Sequence, residues 1–308
     1  MYANVESERL LYFRLNQTKL RAESYIHLKD ELAKGSDAQN IGKKVILPSS
    51  FTGSPRYMHE RTQDAMTYVR TYGRPDLFIT FTCNPKWTEI QQELEAGQMA
   101  HHRHDIIARV FRQKLLLIMR LFKERHIFGE PLCHMFTVEW QKRGLPHAHI
   151  LLWLRVKIHP NDIDNIISAE IPDKDIDPIL FDVVRSQMVH GPCGKYNPKS
   201  PCMIDGKCSK KYPKAFLAHT QTGEDGYPKY RRKMPEQGGF KTTVGLHRVL
   251  DVDNRWIVPY NPLLCKIFNA HINVEFCNSV KSIKYVCKYV NKGSDMAMVG
   301  LSMTKMMK

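Results

Sequence analysis

Two histidines bracket a single alanine in Pro146-His147-Ala148-His149, and a glutamate stands eight residues before the first of them, at Glu139. Imidazole nitrogen and carboxylate oxygen are ligands for divalent metals. The stretch Phe136–Leu154, FTVEWQKRGLPHAHILLWL, reads as two strands and a short turn. Cys133–Gln141 and His147–Leu154 are apolar, β-branched and aromatic, and Gly144 and Pro146 are turn formers. With Gly144 at the centre of the hairpin, Glu139 lies opposite His149 and Gln141 opposite His147. All four positions are odd-numbered, and side chains alternate faces along a strand, so all four project from one face. A glutamate, a glutamine and two histidines within side-chain reach form a constellation suited to a divalent metal.

A second chemistry is carried by tyrosines. Ser279–Lys292, SVKSIKYVCKYVNK, predicts a helix ending at Gly293. At about 100° per residue, Val280, Ile283, Val286, Cys287 and Val290 share one side. Lys281, Tyr285, Lys288, Tyr289 and Lys292 share the other. A phenol with a pKa of about 10 is a weak nucleophile, but neighbouring ammonium groups favour its anion. Attack on phosphorus is chemically sensible for such a pair. Lys281 and Lys288 flank Tyr285, and Tyr289 sits nearer the helix C-terminus, where an anion is disfavoured. Tyr285 is therefore expected to attack first.

A third group lies in HGPCGKYNPKSPCMIDGKCSKKYPK. His190 and Cys193 have knuckle spacing, while Cys202 and Cys208 are more loosely spaced. Thiolates and imidazole among glycines and prolines suit a structural Zn²⁺. Lys210 and Lys211, followed by Arg231 and Arg232, are interleaved with tyrosines and form the densest candidate surface for a polyanion. Arg143 in the hairpin turn and Lys281, Lys284 and Lys288 in the tyrosine helix complete the expected DNA-contacting set.

These residues need a scaffold. Glu6–Ala33 has helical periodicity, and Gly35–Tyr57 is loop-rich. Asp64–Tyr72 predicts a short helix, broken by Gly73-Arg74-Pro75-Asp76. Leu77–Cys83 predicts a strand. Asp105–Arg125 predicts a helix whose stripe is Ile106, Ile107, Val110, Phe111, Leu117, Ile118 and Leu121. His271–Cys277 alternates as a further strand, with Ile272, Val274 and Phe276 toward the core and His271 and Glu275 toward the metal side or merely toward water. The expected class is α+β, a mainly antiparallel sheet with helices packed on it. Residues 1–60 read as an N-terminal helical and loop extension. Residues 61–295 read as the principal domain with an insertion at 155–250, and 296–308 as a tail.

The chain of 308 residues carries 46 Lys and Arg against 31 Asp and Glu, a formal charge of +15 that favours an anionic partner. Apolar residues make up 43%, enough for a substantial core. No apolar run approaches the length of a membrane span, so no membrane role is expected. The N-terminus lacks the pattern of a signal peptide. Eight cysteines in such a chain suggest thiols or metal ligands rather than disulfides.

GLPHAHILLWL and KYVCKYVNKG strongly resemble the replication-initiator part of Helitron transposases, within the HUH class of rolling-circle endonucleases. RLLYFRLNQTKLR, LPSSFTGSPRY, DLFITFTCNPKWTEI, HGPCG, SPCM and the run from Tyr260 to Gly293 are similar to that family too. The resemblance spans about Leu10 to Asp295. It implies an HUH endonuclease-like sheet with both histidines on a central strand. It implies Mg²⁺ or Mn²⁺ on His147, His149 and a third ligand, with Glu139 preferred and Gln141 the runner-up. It further implies that Tyr285 or Tyr289 attacks a single-stranded DNA phosphate, giving a 5′-phosphotyrosine and a free 3′-OH, with nuclear action. Family members continue into a helicase; these 308 residues hold no G-x-x-x-x-G-K-[ST] and end in a Met- and Lys-rich run. The alternative reading is a truncated, catalytically idle DNA-binding remnant.

Overall fold

The computed structural model describes residues 2–17, 47–51, 54–141, 144–191, 193–223, 228–245 and 249–277. The chain divides into two compact units, Met1–Asp64 with Asn291–Lys308, and Ala65–Val290. Helix α1 (Tyr2–Leu15) belongs to the first. It covers the first part of the helical stretch expected from Glu6, and residues 18–46 lie outside the described residues. Helix α2 (Pro55–Tyr72) starts nine residues before the expected Asp64. The reason is a capping signal in the loop-like sequence. Ser54 Oγ accepts the Tyr57 amide at 3.0 Å, and Pro55 occupies the first helical position, where a missing N–H costs nothing.

The second unit is built on a four-stranded antiparallel sheet of β1 (Leu77–Thr82), β2 (Pro131–Trp140), β3 (Pro146–Leu154) and β10 (Ile272–Phe276), in the order β10-β1-β3-β2. The fold is α+β, as expected. Strand alternation gives the sheet two unlike faces. Leu77, Ile79, Phe81, Ile150, Leu152, Ile272 and Val274 are buried on one face. Helix α3 (His104–Lys123) joins this core through Ile107, Phe111, Leu115, Ile118 and Phe122, which recur at helical spacing. Leu117, expected in that stripe, is 43% exposed; Leu115, Met119 and Phe122 take its place. The opposite face carries Thr80, Thr82, Thr137, Glu139, His147 and His149 in register.

The stretch expected to be an insertion contributes directly to the core. Ile158, Ile163, Ile167 and Ile171 pack with the sheet, as do Leu180, Val183 and Val184 of helix α4 (Pro178–Gln187). Ser168 bridges Tyr260, and Val189 bridges Ile257, which stitches this segment to the chain before helix α5 (Pro262–Phe268). Buried Asp76 ties the strand ends together. Its carboxylate accepts from Leu154 N at 2.8 Å and Lys157 Nζ at 2.8 Å, and its carbonyl accepts from Cys277 N at 2.9 Å. Smaller pairs complete the unit: β4 (Met203–Ile204) with β5 (Lys207–Cys208), β6 (Gln221–Thr222) with β7 (Pro228–Lys229), and β8 (Lys241–Val244) with β9 (Leu250–Asp253). Among the described residues, no helix is long and apolar enough to cross a membrane.

Candidate metal centres

The hairpin of β2 and β3 exists, but its register differs by two residues from the expectation. Glu139 pairs with His147, and Thr137 with His149. The turn explains the difference. Gln141 N donates to Leu145 O at 3.0 Å, closing a three-residue loop whose last residue is Gly144, at φ 74°. Glycine takes that left-handed position without strain, as three-residue hairpin loops require. Gly144 is therefore at the edge of the turn, not its centre. A shift of two preserves parity, so Glu139 stays on the histidine face. Gln141 lies opposite Leu145 in the turn, exposed and outside the cluster.

Three donor atoms converge on that face. His147 Nε2 is 3.3 Å from Glu139 Oε2, and His149 Nε2 is 3.5 Å from the same oxygen. The two Nε2 atoms are 3.0 Å apart. A divalent ion about 2.1 Å from each donor would set neighbouring ligands roughly 3.0 Å apart in an octahedron and 3.4 Å in a tetrahedron. The observed triangle has that size, so the residues fit a metal by donor chemistry and spacing. Both histidines are 7% exposed. Burial first, and His147 beside it second, hold the His149 imidazole down to about 4, keeping it a neutral ligand near pH 7. Thr80 Oγ1 lies 3.1 Å from His149 Nδ1, and the Phe78 ring stacks on the imidazole at 5.5 Å and 15°. Sequence reading missed both. The alternation of Leu77–Thr82 was visible, but not which strand it would join.

The second cluster is His190, Cys193, Cys202 and Cys208, whose donor atoms all lie within 4.8 Å of one another. The loose spacing of Cys202 and Cys208 is bridged by the β4–β5 hairpin. Its turn is Asp205-Gly206, with φ of 49° and 74°. Two positive φ values match the primed turns that close two-residue hairpins. Ser209 N then donates to Cys202 O at 2.8 Å, bringing the thiols together. Cys208 Sγ is 3.5 Å from His190 Nε2, about the sulfur–nitrogen edge of a tetrahedral zinc site. The His190 ring stacks on Tyr212 at 4.1 Å and 10°. Either cluster could hold a metal ion.

The expected DNA-contacting residues part company. Lys210 and Lys211 are exposed on the cysteine-rich segment. Arg231 is half-buried and ion-paired with Glu170 at 2.9 Å and Asp164 at 3.7 Å. Arg232 is 3% exposed, so it is no surface contact. Its guanidinium donates to the carbonyls of Ala169 at 3.2 Å and Ile257 at 2.7 Å, and to that of Asn254. It serves as a strut between segments. Arg143, Lys281, Lys284, Lys288, Tyr285 and Tyr289, with the expected helix Ser279–Lys292, lie outside the described residues.

Residues 1–152 match the family described as the Helitron helicase-like domain at the N-terminus. The first half of this chain is a Helitron helicase-like N-terminal domain. The matched span of this Helitron-like domain contains Glu139, His147 and His149 and ends before the cysteine cluster and the tyrosines. No curated protein matches the chain.

Proposed function

We propose that this member of the Helitron family is a metal-dependent single-stranded DNA endonuclease and strand transferase acting in the nucleus. The observation that carries the reading is the convergence of Glu139, His147 and His149 inside the Helitron-like domain. These three residues would hold Mg²⁺ or Mn²⁺, and two imidazoles beside one carboxylate suit Mn²⁺ better than the oxygen-preferring Mg²⁺. When bound, the ion polarises the scissile phosphate and neutralises charge as the transition state forms. Tyr285 is the nucleophile. Its phenolate oxygen bonds to phosphorus, the bond to the 3′-oxygen breaks, and that oxygen leaves with a proton as a 3′-OH. The DNA end remains as a 5′-phosphotyrosine. Tyr289 then serves strand transfer. Lys210 and Lys211 hold the strand by its phosphates, on a segment folded around Zn²⁺ at His190, Cys193, Cys202 and Cys208.

A denaturing gel of the protein with single-stranded oligonucleotides tests the reading. Wild type with Mn²⁺ gives a covalent adduct. Tyr285→Phe abolishes it, whereas Tyr289→Phe keeps initial cleavage and impairs strand transfer. Loss with Tyr289→Phe alone reverses the assignment, and an adduct that survives the double replacement refutes both tyrosines. Binding without any adduct from wild type would instead support an idle DNA-binding remnant.

A further inference from the structure

We infer that Thr80 is a positioning residue that locks His149 in the tautomer able to ligate through Nε2. The His149 ring has two nitrogens in the neutral state, one protonated and one with a free lone pair. Its Nε2 is the atom aimed at the cluster, 3.5 Å from Glu139 Oε2 and 3.0 Å from His147 Nε2. For that lone pair to be available, Nδ1 must carry the hydrogen, and a buried N–H needs an acceptor. Thr80 Oγ1, 3.1 Å away, is in place to accept it.

The placement follows from register. Thr80 on β1 and Thr137 on β2 both stand directly opposite His149, one on either side. The Thr80 hydroxyl bonds to the ring, whereas Thr137 Oγ1 is buried and makes no hydrogen bond among the described residues. Phe78, two residues before Thr80 on the same face, stacks on the ring and restrains its tilt. The imidazole is thus held by a hydrogen bond at its edge and an aromatic plane against its face. Partners of this kind on a metal-ligating histidine fix its orientation and basicity, and their removal costs about 10–100-fold in affinity.

The inference rests on the proposed metal site for its meaning, but its first test needs no metal. Nitrogen-15 NMR of the histidines in the metal-free full chain reads the tautomer directly. His149 should carry its proton on Nδ1 in wild type. It should lose that preference in Thr80→Val, recover it in Thr80→Ser, and keep it in Thr137→Val. The second test is the Mn²⁺ dissociation constant by titration calorimetry. Thr80→Val should raise it about 10–100-fold, with Thr80→Ser close to wild type. A wild-type His149 protonated on Nε2 overturns the inference, as does a Thr80→Val protein that binds Mn²⁺ like wild type. A Thr80→Ser protein as impaired as Thr80→Val overturns it too, because the hydroxyl alone would then not suffice to hold the ring. Wild type that holds the Nδ1–H tautomer yet binds no Mn²⁺ supports the role of Thr80 and refutes the metal reading instead.

Discussion

His149 shows how burial sets the state of a single side chain. Its imidazole is lowered to about 4 from 6.5, first by burial and then by His147. Above pH 6.5 the folded and unfolded chains both carry it neutral. Between 6.5 and 4 the unfolded chain binds a proton that the folded chain refuses, so stability falls as pH falls. Below about 4 the effect levels off, after a loss on the order of 3 kcal/mol. Denaturant titrations of metal-free protein should show that slope, and His149→Asn should flatten it. Arg232 and Lys210 make the complementary contrast. Breaking the buried guanidinium's carbonyl contacts in Arg232→Ala should cost about 3–5 kcal/mol, measured by thermal unfolding. Lys210→Ala with Lys211→Ala should leave stability unchanged within about 0.5 kcal/mol. The same pair should weaken single-stranded DNA binding and flatten its salt dependence by about 0.7 for each phosphate no longer neutralised. Composition alone made Arg232 resemble its basic neighbours. What distinguishes it is the arrival of carbonyls from Ala169, Asn254 and Ile257, distant in sequence and invisible to a local reading.

At the scale of elements, the two hairpins carry the two candidate metal clusters, and each depends on a glycine at positive φ. Gly206 sits at φ 74° with open space where a Cβ would project, so its constraint is the backbone angle alone. Gly206→Val should strain the turn by about 1–2 kcal/mol and weaken zinc binding, read by competition with a chromophoric chelator. Unchanged affinity would mean that the hairpin does not set the spacing of Cys202 and Cys208. The Asp-Gly pair was a readable hairpin signal in the sequence, and with it the spacing of those thiols would not have looked loose. The β2–β3 hairpin was legible through its alternation, which placed Glu139, His147 and His149 on one face. Its register was not, because one glycine can stand at the centre or at the edge of a turn. The pairing of β1 with both β3 and β10 joins segments about 70 and 190 residues apart. No local pattern announces such pairing, which is why Thr80 and Phe78 escaped notice.

For the whole molecule, the sheet divides the chemistry from the scaffold. One face is closed by α3 and by the isoleucine-rich segment after β3; the other packs Phe78, Met135, Leu151 and Trp153 with Val69 of α2 at one end and turns polar around His147 and His149 at the other. The expected α+β class was readable from strand and helix patterns. The role of residues 158–188 as core rather than appendage was not, since apolar residues do not name their partners. The central claim is that the polar face holds one divalent ion through Glu139, His147 and His149. Electron paramagnetic resonance of Mn²⁺ added to the purified chain tests it most directly. One ion should bind with nitrogen-14 couplings from two imidazoles, and Glu139→Gln should raise the dissociation constant at least about 10-fold. Bound Mn²⁺ with no imidazole coupling, or with an affinity indifferent to Glu139→Gln, would contradict the account.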